Sequence, residues 1–222
     1  MFQRFHGQAK AQEGQMRSLQ SENLQLDRVL REKDREIDQL KNQLANAEAR
    51  LEELMGKDNL TSLPNRHIFK EHLTHSLKRA VRLGYSLSLL LIDIDHLREV
   101  NSRAGYEKGD EVLIEVAKTL QNSVREIDMP ARWGGEELVA VLHETDVEAA
   151  LSVAERIRRK ISMLDIKDPS SGMPIAITAT LAVASYPRHS NQPQELLEVA
   201  YDALVAAKNK GGNIVVVADS SI

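Results

Sequence analysis

The 222-residue sequence predicts an α+β domain with a mostly antiparallel sheet on a ferredoxin-like plan, preceded by an N-terminal helix that forms a parallel coiled coil. Three observations carry this expectation. A seven-residue apolar repeat is confined to the first 57 positions, the later elements run strand, helix, strand, strand, helix, strand, and 42% hydrophobic content is enough for a core. The expected division is a stalk over 1–57 and a domain over 58–222.

Residues 1–57 contain no proline and balance 10 basic against 10 acidic side chains. With Met16 at position a, the a layers are Met16, Asn23, Leu30, Ile37, Leu44 and Leu51, and the d layers are Leu19, Leu26, Lys33, Leu40, Ala47 and Leu54. Ten of these twelve positions are apolar, a seam with a period of 3.5 that calls for a partner helix in a left-handed supercoil. Asn23 at an a position is the kind of polar insertion that sets register in a parallel dimer. The seam spans about 58 Å at 1.5 Å per residue.

The seam fades at Met55-Gly56-Lys57, and DNLTSLPNR, Asp58 to Arg66, is turn chemistry that ends one helix and caps the next. Beyond it the patterns predict helix 65–83, strand 86–93, helix 109–124, strands 129–133 and 137–143, helix 146–163, strand 174–185, helix 193–209 and strand 213–218. The last helix and strand extend the six-element plan.

Bulk properties narrow the function classes. The chain has no cysteine, so neither disulfides nor thiolate metal sites arise, and a cytoplasmic location is expected. The apolar run LSLLLI is far shorter than the roughly 20 residues of a membrane span, and the polar N-terminus lacks a signal-peptide core. A formal charge of -4 argues against general nucleic-acid binding while leaving room for a nucleotide with its metal.

Carboxylates are concentrated where strands end. LLLIDIDHL places Asp93 and Asp95 at the close of an apolar strand, on one side if the strand continues that far. An isolated D-x-D pair would as readily cap the next helix or pair with a base. RWGGEEL changes the balance: Gly134-Gly135 makes a hairpin corner that lets a ligand approach the main chain, and Glu136 and Glu137 follow at once. Like charges at a tight corner repel unless a cation offsets them. A strand-end aspartate and a hairpin glutamate are hard oxygen ligands suited to magnesium, which points to phosphoryl or nucleotidyl transfer.

The blocks DNLTSLPNR, LLIDIDHLREVNSRAGYEKGDEVL, RWGGEEL and DALVAAKNKGGN, in this order and spacing, resemble the GGDEF domain of the diguanylate cyclase family, with GGEEL in place of the name motif. The resemblance covers Asp58 to about Val217. It implies a palm-type domain that binds one GTP, with two facing domains joining two GTP into cyclic di-GMP and releasing two pyrophosphates. It further implies Asp93, Glu137 and the Ile94 carbonyl as ligands of Mg2+, with Mn2+ as an alternative, and Glu136 as the base near the ribose 3′-hydroxyl. Gly134 and Gly135 correspond to the glycines under the α-phosphate, Asn101 and Asp110 to the pair reading the guanine edge, and Lys208 and Arg98 to phosphate contacts.

The sequence departs from the family pattern at Leu138, Leu97 and Ser102, at Gly212 where a basic residue is common, and at Thr180 and Ala182. None of these removes an expected metal ligand or the base. REID, Arg125 to Asp128, resembles the family's R-x-x-D product-inhibition motif, with Arg156 or Arg158 completing the site; a plain local ion pair between Arg125 and Asp128 is the competing reading.

A short stalk running directly into such a domain resembles the SiaD type of cyclase, in which a separate protein engages the stalk. The expected partners are therefore GTP, cyclic di-GMP, a second copy through the coiled coil, and a stalk-binding regulator. A noncatalytic receptor for GTP or cyclic di-GMP is the alternative reading, and an inert coiled-coil assembly protein is a third; intact Asp93, Glu136 and Glu137 count against both.

Overall fold

The computed structural model describes residues 30–44 and 56–219. The chain divides into two units, Met1–Leu51 and Glu52–Ile222. In the first, residues 30–44 are helical (α1) and exposed throughout. Leu30, Ile37, Leu40 and Leu44 keep 47–59% of their surface open, so the described part of the seam is uncovered on a single chain. Lys33 pairs with Glu36 at 2.6 Å. Met16, Leu19, Asn23, Leu26, Ala47, Leu51 and Leu54 lie outside the described residues.

The second unit opens with the turn at 58–61. α2 (Arg66–Leu83) starts where Asn65 accepts a hydrogen bond from the Ile68 N–H and stops at left-handed Gly84. β1 (Leu87–Ile94) follows, then α3 (Leu97–Ala104) and α4 (Tyr106–Gln121), the hairpin β2 (Met129–Gly134) and β3 (Glu137–His143), and α5 (Val147–Ile161), capped by Asp146. The chain continues through β4 (Ile166–Lys167), β5 (Pro174–Ile175), β6 (Ala179–Tyr186), α6 (Pro193–Asn209) and β7 (Val215–Val217).

The main sheet is mixed, in the order β2-β3-β1-β6-β7, with antiparallel pairing except for parallel β6 and β7. β1 lies at its centre and is buried on both faces, which is why its sequence is an unbroken apolar run. Leu90, Ile92 and Ile94 pack with α4 and α5, while Leu87, Leu89 and Leu91 face α2 and α6. Each fully buried leucine contributes about 1.5–3 kcal/mol of transfer free energy. That rigid central strand ends at the carboxylates.

The structure departs from the expected elements at several points, among them α4, which runs Tyr106–Gln121 where 109–124 is expected. Residues 97–104 form α3, in a stretch to which the sequence patterns assign no element: its buried stripe is only Leu97 and Val100, too short a pattern to read as periodic. The long expected strand 174–185 is broken, because Pro174 and Ile175 leave the main sheet to pair with β4 in a separate ribbon. The expected strand 213–218 shortens to Val215–Val217. No described helix is long and apolar enough to cross a membrane.

Candidate active site

Strand register brings the carboxylates together. Asp93, one residue before the end of β1, lies directly opposite Glu137, the first residue of β3, and opposite Thr180 of β6 on its other side. The β2–β3 hairpin turns through Gly135 and Glu136, so Glu136 sits at the corner and Glu137 beside Asp93. A register shift between Arg132 and Gly134 precedes the corner. Gly134 and Gly135 have φ of 150° and 54°, and a Cβ at either would meet nothing within 4 Å. Backbone conformation rather than crowding therefore requires glycine here, and the main chain stays open to a ligand. The Ile94 N–H donates to the Glu136 carbonyl at 3.3 Å, tying the end of β1 to the turn.

The electrostatics are those of a crowded anionic site. Burial pushes the Asp93 carboxyl above the usual aspartate range; Lys208 opposes this, and Glu136 and Asp95 add to it. Glu137 is likewise raised, by burial first and then by Asp93 and Glu136, against the pull of Lys208 and Arg66. Lys208, on the last turn of α6, places Nζ 2.5 Å from Asp93 Oδ1 and donates to the Ile94 carbonyl at 3.3 Å.

Asp95 does not share this role. The strand ends at Ile94, and the Asp95 side chain is buried in a closed set of hydrogen bonds from Thr178 Oγ1 (2.8 Å), Thr180 Oγ1 (2.7 Å) and the Asn213 N–H (2.9 Å). It fastens the turn after α6 to β1 and β6. Gly212 fits against it: a Cβ there would stand 2.8 Å from Asp95 Oδ1 and 3.0 Å from Thr180 Oγ1. The loss of a basic residue at Gly212 and the presence of Thr180 thus meet at one contact.

Asn101 on α3 and Asp110 on α4 flank the bend at Gly105, with Asn101 half-buried and Asp110 exposed. Among the described residues no group hydrogen-bonds to the buried Asn101 Oδ1, and a Cβ on Gly109 would lie 1.8 Å from it. Gly109 thus makes the space for the amide. Arg98 is exposed on α3.

Arg125 and Asp128 are not a guanidinium–carboxylate pair. Asp128 accepts from the Arg125 backbone N–H at 2.9 Å and, with its other oxygen, from the His143 N–H at 3.0 Å. The Arg125 guanidinium is left out of that pairing. Arg156 donates to the Ser123 carbonyl at 2.7 Å. Arg158 is committed to Glu155, whose carboxyl it and Arg159 hold at about 2, and to Asn213.

Sequence reasoning missed one feature of the corner. Arg132 clamps Asp58 through Nη1 at 3.1 and 2.9 Å while its Nη2 donates to the Gly135 carbonyl at 2.8 Å. Asp58 also accepts from the Thr61 N–H and hydroxyl. The two ends of this pair are 74 residues apart, and only the fold shows that the turn opening the domain is bound to the glycine corner. Arg66 stacks over Trp133 at 4.4 Å beside it.

A mixed sheet whose central strand ends against a glycine hairpin, with three carboxylates and a lysine converging there, defines an α+β domain with a candidate phosphoryl-transfer site. Residues 56–214 match the family described as "Diguanylate cyclase, GGDEF domain". The chain belongs to that family.

It is similar to the response regulator PleD of Caulobacter vibrioides, at 38% identity over 74% of this chain, and to the diguanylate cyclase DgcM of Escherichia coli, at 37% over 77%. The chain spans 36% and 40% of the lengths of those relatives. Among solved structures, the coiled coil and GGDEF domain of DgcB from Caulobacter crescentus, in complex with c-di-GMP, matches 87% of this chain and 99% of that one at 27% identity and a TM-score of 0.69. The diguanylate cyclase SiaD of Pseudomonas aeruginosa, in complex with its activator SiaC, matches 97% of this chain and 84% of that one at 30% identity and a TM-score of 0.69.

Proposed function

We propose that the domain is a diguanylate cyclase half-site that binds one GTP and, facing a second copy, condenses two GTP into cyclic di-GMP with release of two pyrophosphates. The observation that carries this reading is the opposition of Asp93 and Glu137 at the glycine corner, with Glu136 in the turn and Lys208 against Asp93. Family membership supports it.

In this reading Glu136 takes the proton of the ribose 3′-hydroxyl, the freed oxygen attacks the α-phosphorus of the facing GTP, and pyrophosphate leaves with the electron pair of the broken P–O bond. The same step in the opposite sense closes the ring. Asp93, Glu137 and the Ile94 carbonyl would hold Mg2+, or Mn2+. Two carboxylates and a carbonyl suit a hard cation that keeps places for water and phosphate oxygens. That ion supplies neutralisation of phosphate charge when bound.

Asn101, with its unpartnered buried oxygen, and Asp110 read the guanine edge, Gly134 and Gly135 lie under the α-phosphate, and Arg98 and Lys208 contact phosphates. Product binds at Arg125, Asp128 and Arg156, where the guanidinium of Arg125 supplies the bidentate donor and Asp128 the oriented acceptor.

The ferredoxin-like reading of the sheet is supported by the order β2-β3-β1-β6 with three antiparallel pairings. The uncovered leucines of α1 support a stalk over 1–57 that pairs in parallel with a second copy. The likeness to SiaD supports a regulator acting on that stalk, and a cytoplasmic setting fits this arrangement.

The direct test incubates the purified chain with GTP and Mg2+ and separates the nucleotides by chromatography. Cyclic di-GMP and pyrophosphate in a 1:2 ratio are expected from the stoichiometry. GTP or cyclic di-GMP binding without turnover would favour the receptor reading instead.

A further inference from the structure

Lys208 contacts the two atoms that the proposed reading gives to the divalent cation. Its Nζ lies 2.5 Å from Asp93 Oδ1 and 3.3 Å from the Ile94 carbonyl oxygen, with Asp95 Oδ1 at 3.9 Å. The side chain is 28% exposed and reaches in from the last turn of α6, so its charge is only partly screened by water. A magnesium ion takes such oxygens at roughly 2.0–2.1 Å and draws on the same negative charge. An ammonium already set against both oxygens repels an incoming cation and satisfies part of the charge that would attract it.

The two cations therefore compete, unless a new anion takes the lysine. The triphosphate of a nucleotide is such an anion, and it brings oxygens that complete the metal's own shell. We infer that Lys208 is an internal counter-cation, which keeps the Asp93–Ile94 site weak toward free divalent metal and releases it when a triphosphate gives the ammonium new oxygens to bind. Metal affinity is then conditional on nucleotide. This role is separate from phosphate contact, which alone would leave metal binding in nucleotide-free protein indifferent to residue 208. It rests on the assignment of Asp93 and Ile94 as metal ligands.

The test is a titration of the full chain with Mn2+, free ion being read by electron paramagnetic resonance, with and without a non-hydrolysable GTP analogue. Without nucleotide, Lys208→Met should bind Mn2+ tighter than wild type by on the order of tenfold, the effect of removing a like charge a few ångströms away. Lys208→Arg, which keeps the charge, should show no such gain, and Asp93→Asn should erase the gain when added to Lys208→Met. Melting gives a second readout: Mn2+ should raise the melting temperature of Lys208→Met more than that of wild type. Equal or weaker metal binding by a folded Lys208→Met, with no larger thermal shift, overturns the lysine's role. If Asp93→Asn leaves Mn2+ binding intact in the presence of the analogue, the ligand assignment itself is wrong and the inference falls with it.

Discussion

At the scale of single residues, two buried carboxylates cost the fold stability at neutral pH. Asp93 and Glu137 have folded-state pKa values above their ordinary ones, chiefly because burial disfavours their charge. A raised carboxylate contributes stability below its ordinary pKa, near 4, and loses that contribution as pH rises through the folded value. At neutral pH the pair is therefore a strain on the fold. Glu137→Gln should raise the melting temperature at pH 7 more than at pH 4 in metal-free buffer, while cyclic di-GMP formation falls by at least about 100-fold. Scanning calorimetry at the two pH values with parallel rate assays checks both halves; a melting temperature that drops equally at both would show that Glu137 is a structural residue. Arg132 presents the opposite case. Its pair with Asp58 is largely buried, at 16% and 11% side-chain exposure, and Arg132→Ala removes the counter-charge of a carboxylate that keeps only the Thr61 hydrogen bonds, at a cost of about 3 kcal/mol. Because the same guanidinium holds the Gly135 carbonyl, the variant should also lower kcat, and urea unfolding beside initial rates will separate the two effects.

At the scale of elements, two junctions decide local behaviour. α3 and α4 approach so closely that Asn101 rests on Gly109, and Gly109→Ala would place a methyl group on the amide oxygen. The expected outcome is displacement of Asn101, an overpacking cost of about 1–3 kcal/mol, and a loss of GTP-over-ATP preference that Gly109→Ser shares. Competition binding with the two nucleotides measures it. The second junction joins α2 to the end of β3, where the rings of His72 and His143 meet edge to face at 5.2 Å and His143 shares a hydrogen bond with Ser76. Both histidines are held below 6.5: burial is the largest cause for each, the charges of His143 and His75 add to it for His72, and Asp128 opposes it for His143. A lowered histidine stabilises above its ordinary pKa and loses that as pH falls through the folded value. Melting temperature should thus decline below pH 6.5, and His143→Gln should flatten the decline. An unchanged slope would mean that other groups carry it.

At the scale of the whole molecule, the proposed reaction needs two copies. α1 leaves Leu30, Ile37, Leu40 and Leu44 exposed, and a helix in water draws most of its stability from packing such an apolar stripe. Replacing Leu30, Ile37 and Leu44 with glutamine removes three a-layer contacts and should yield monomers at low concentration. Each monomer keeps the proposed GTP ligands, all of which lie beyond Asp58. Specific activity should then rise with protein concentration, because the meeting of half-sites has become bimolecular in place of the roughly millimolar effective concentration that a short linkage supplies. Sedimentation and initial rates on the same samples test this, and a monomer with undiminished, concentration-independent activity would contradict the two-half-site mechanism.

What the sequence determined by itself is whatever depends on local pattern. β1, β3, α5 and α6 were legible because an apolar run, or an amphipathic stripe with a capping residue or a leading proline, is written within one segment. The carboxylates at Asp93, Glu136 and Glu137 were legible because two glutamates follow the glycine corner at once, where like charges repel unless a cation offsets them, and an aspartate closes the neighbouring apolar strand. What only the tertiary structure decided is which distant groups meet. Asp95 reads like Asp93 along the chain, yet Thr178, Thr180 and Asn213 close around one carboxylate and Lys208 around the other. The space left by Gly109 for Asn101, the clamp of Arg132 on Asp58 and Gly135, and the break between β5 and β6 likewise have no local signature. Each is set by the register and packing of elements far apart in sequence, where side-chain charge and shape are settled by three-dimensional neighbours rather than by chain neighbours.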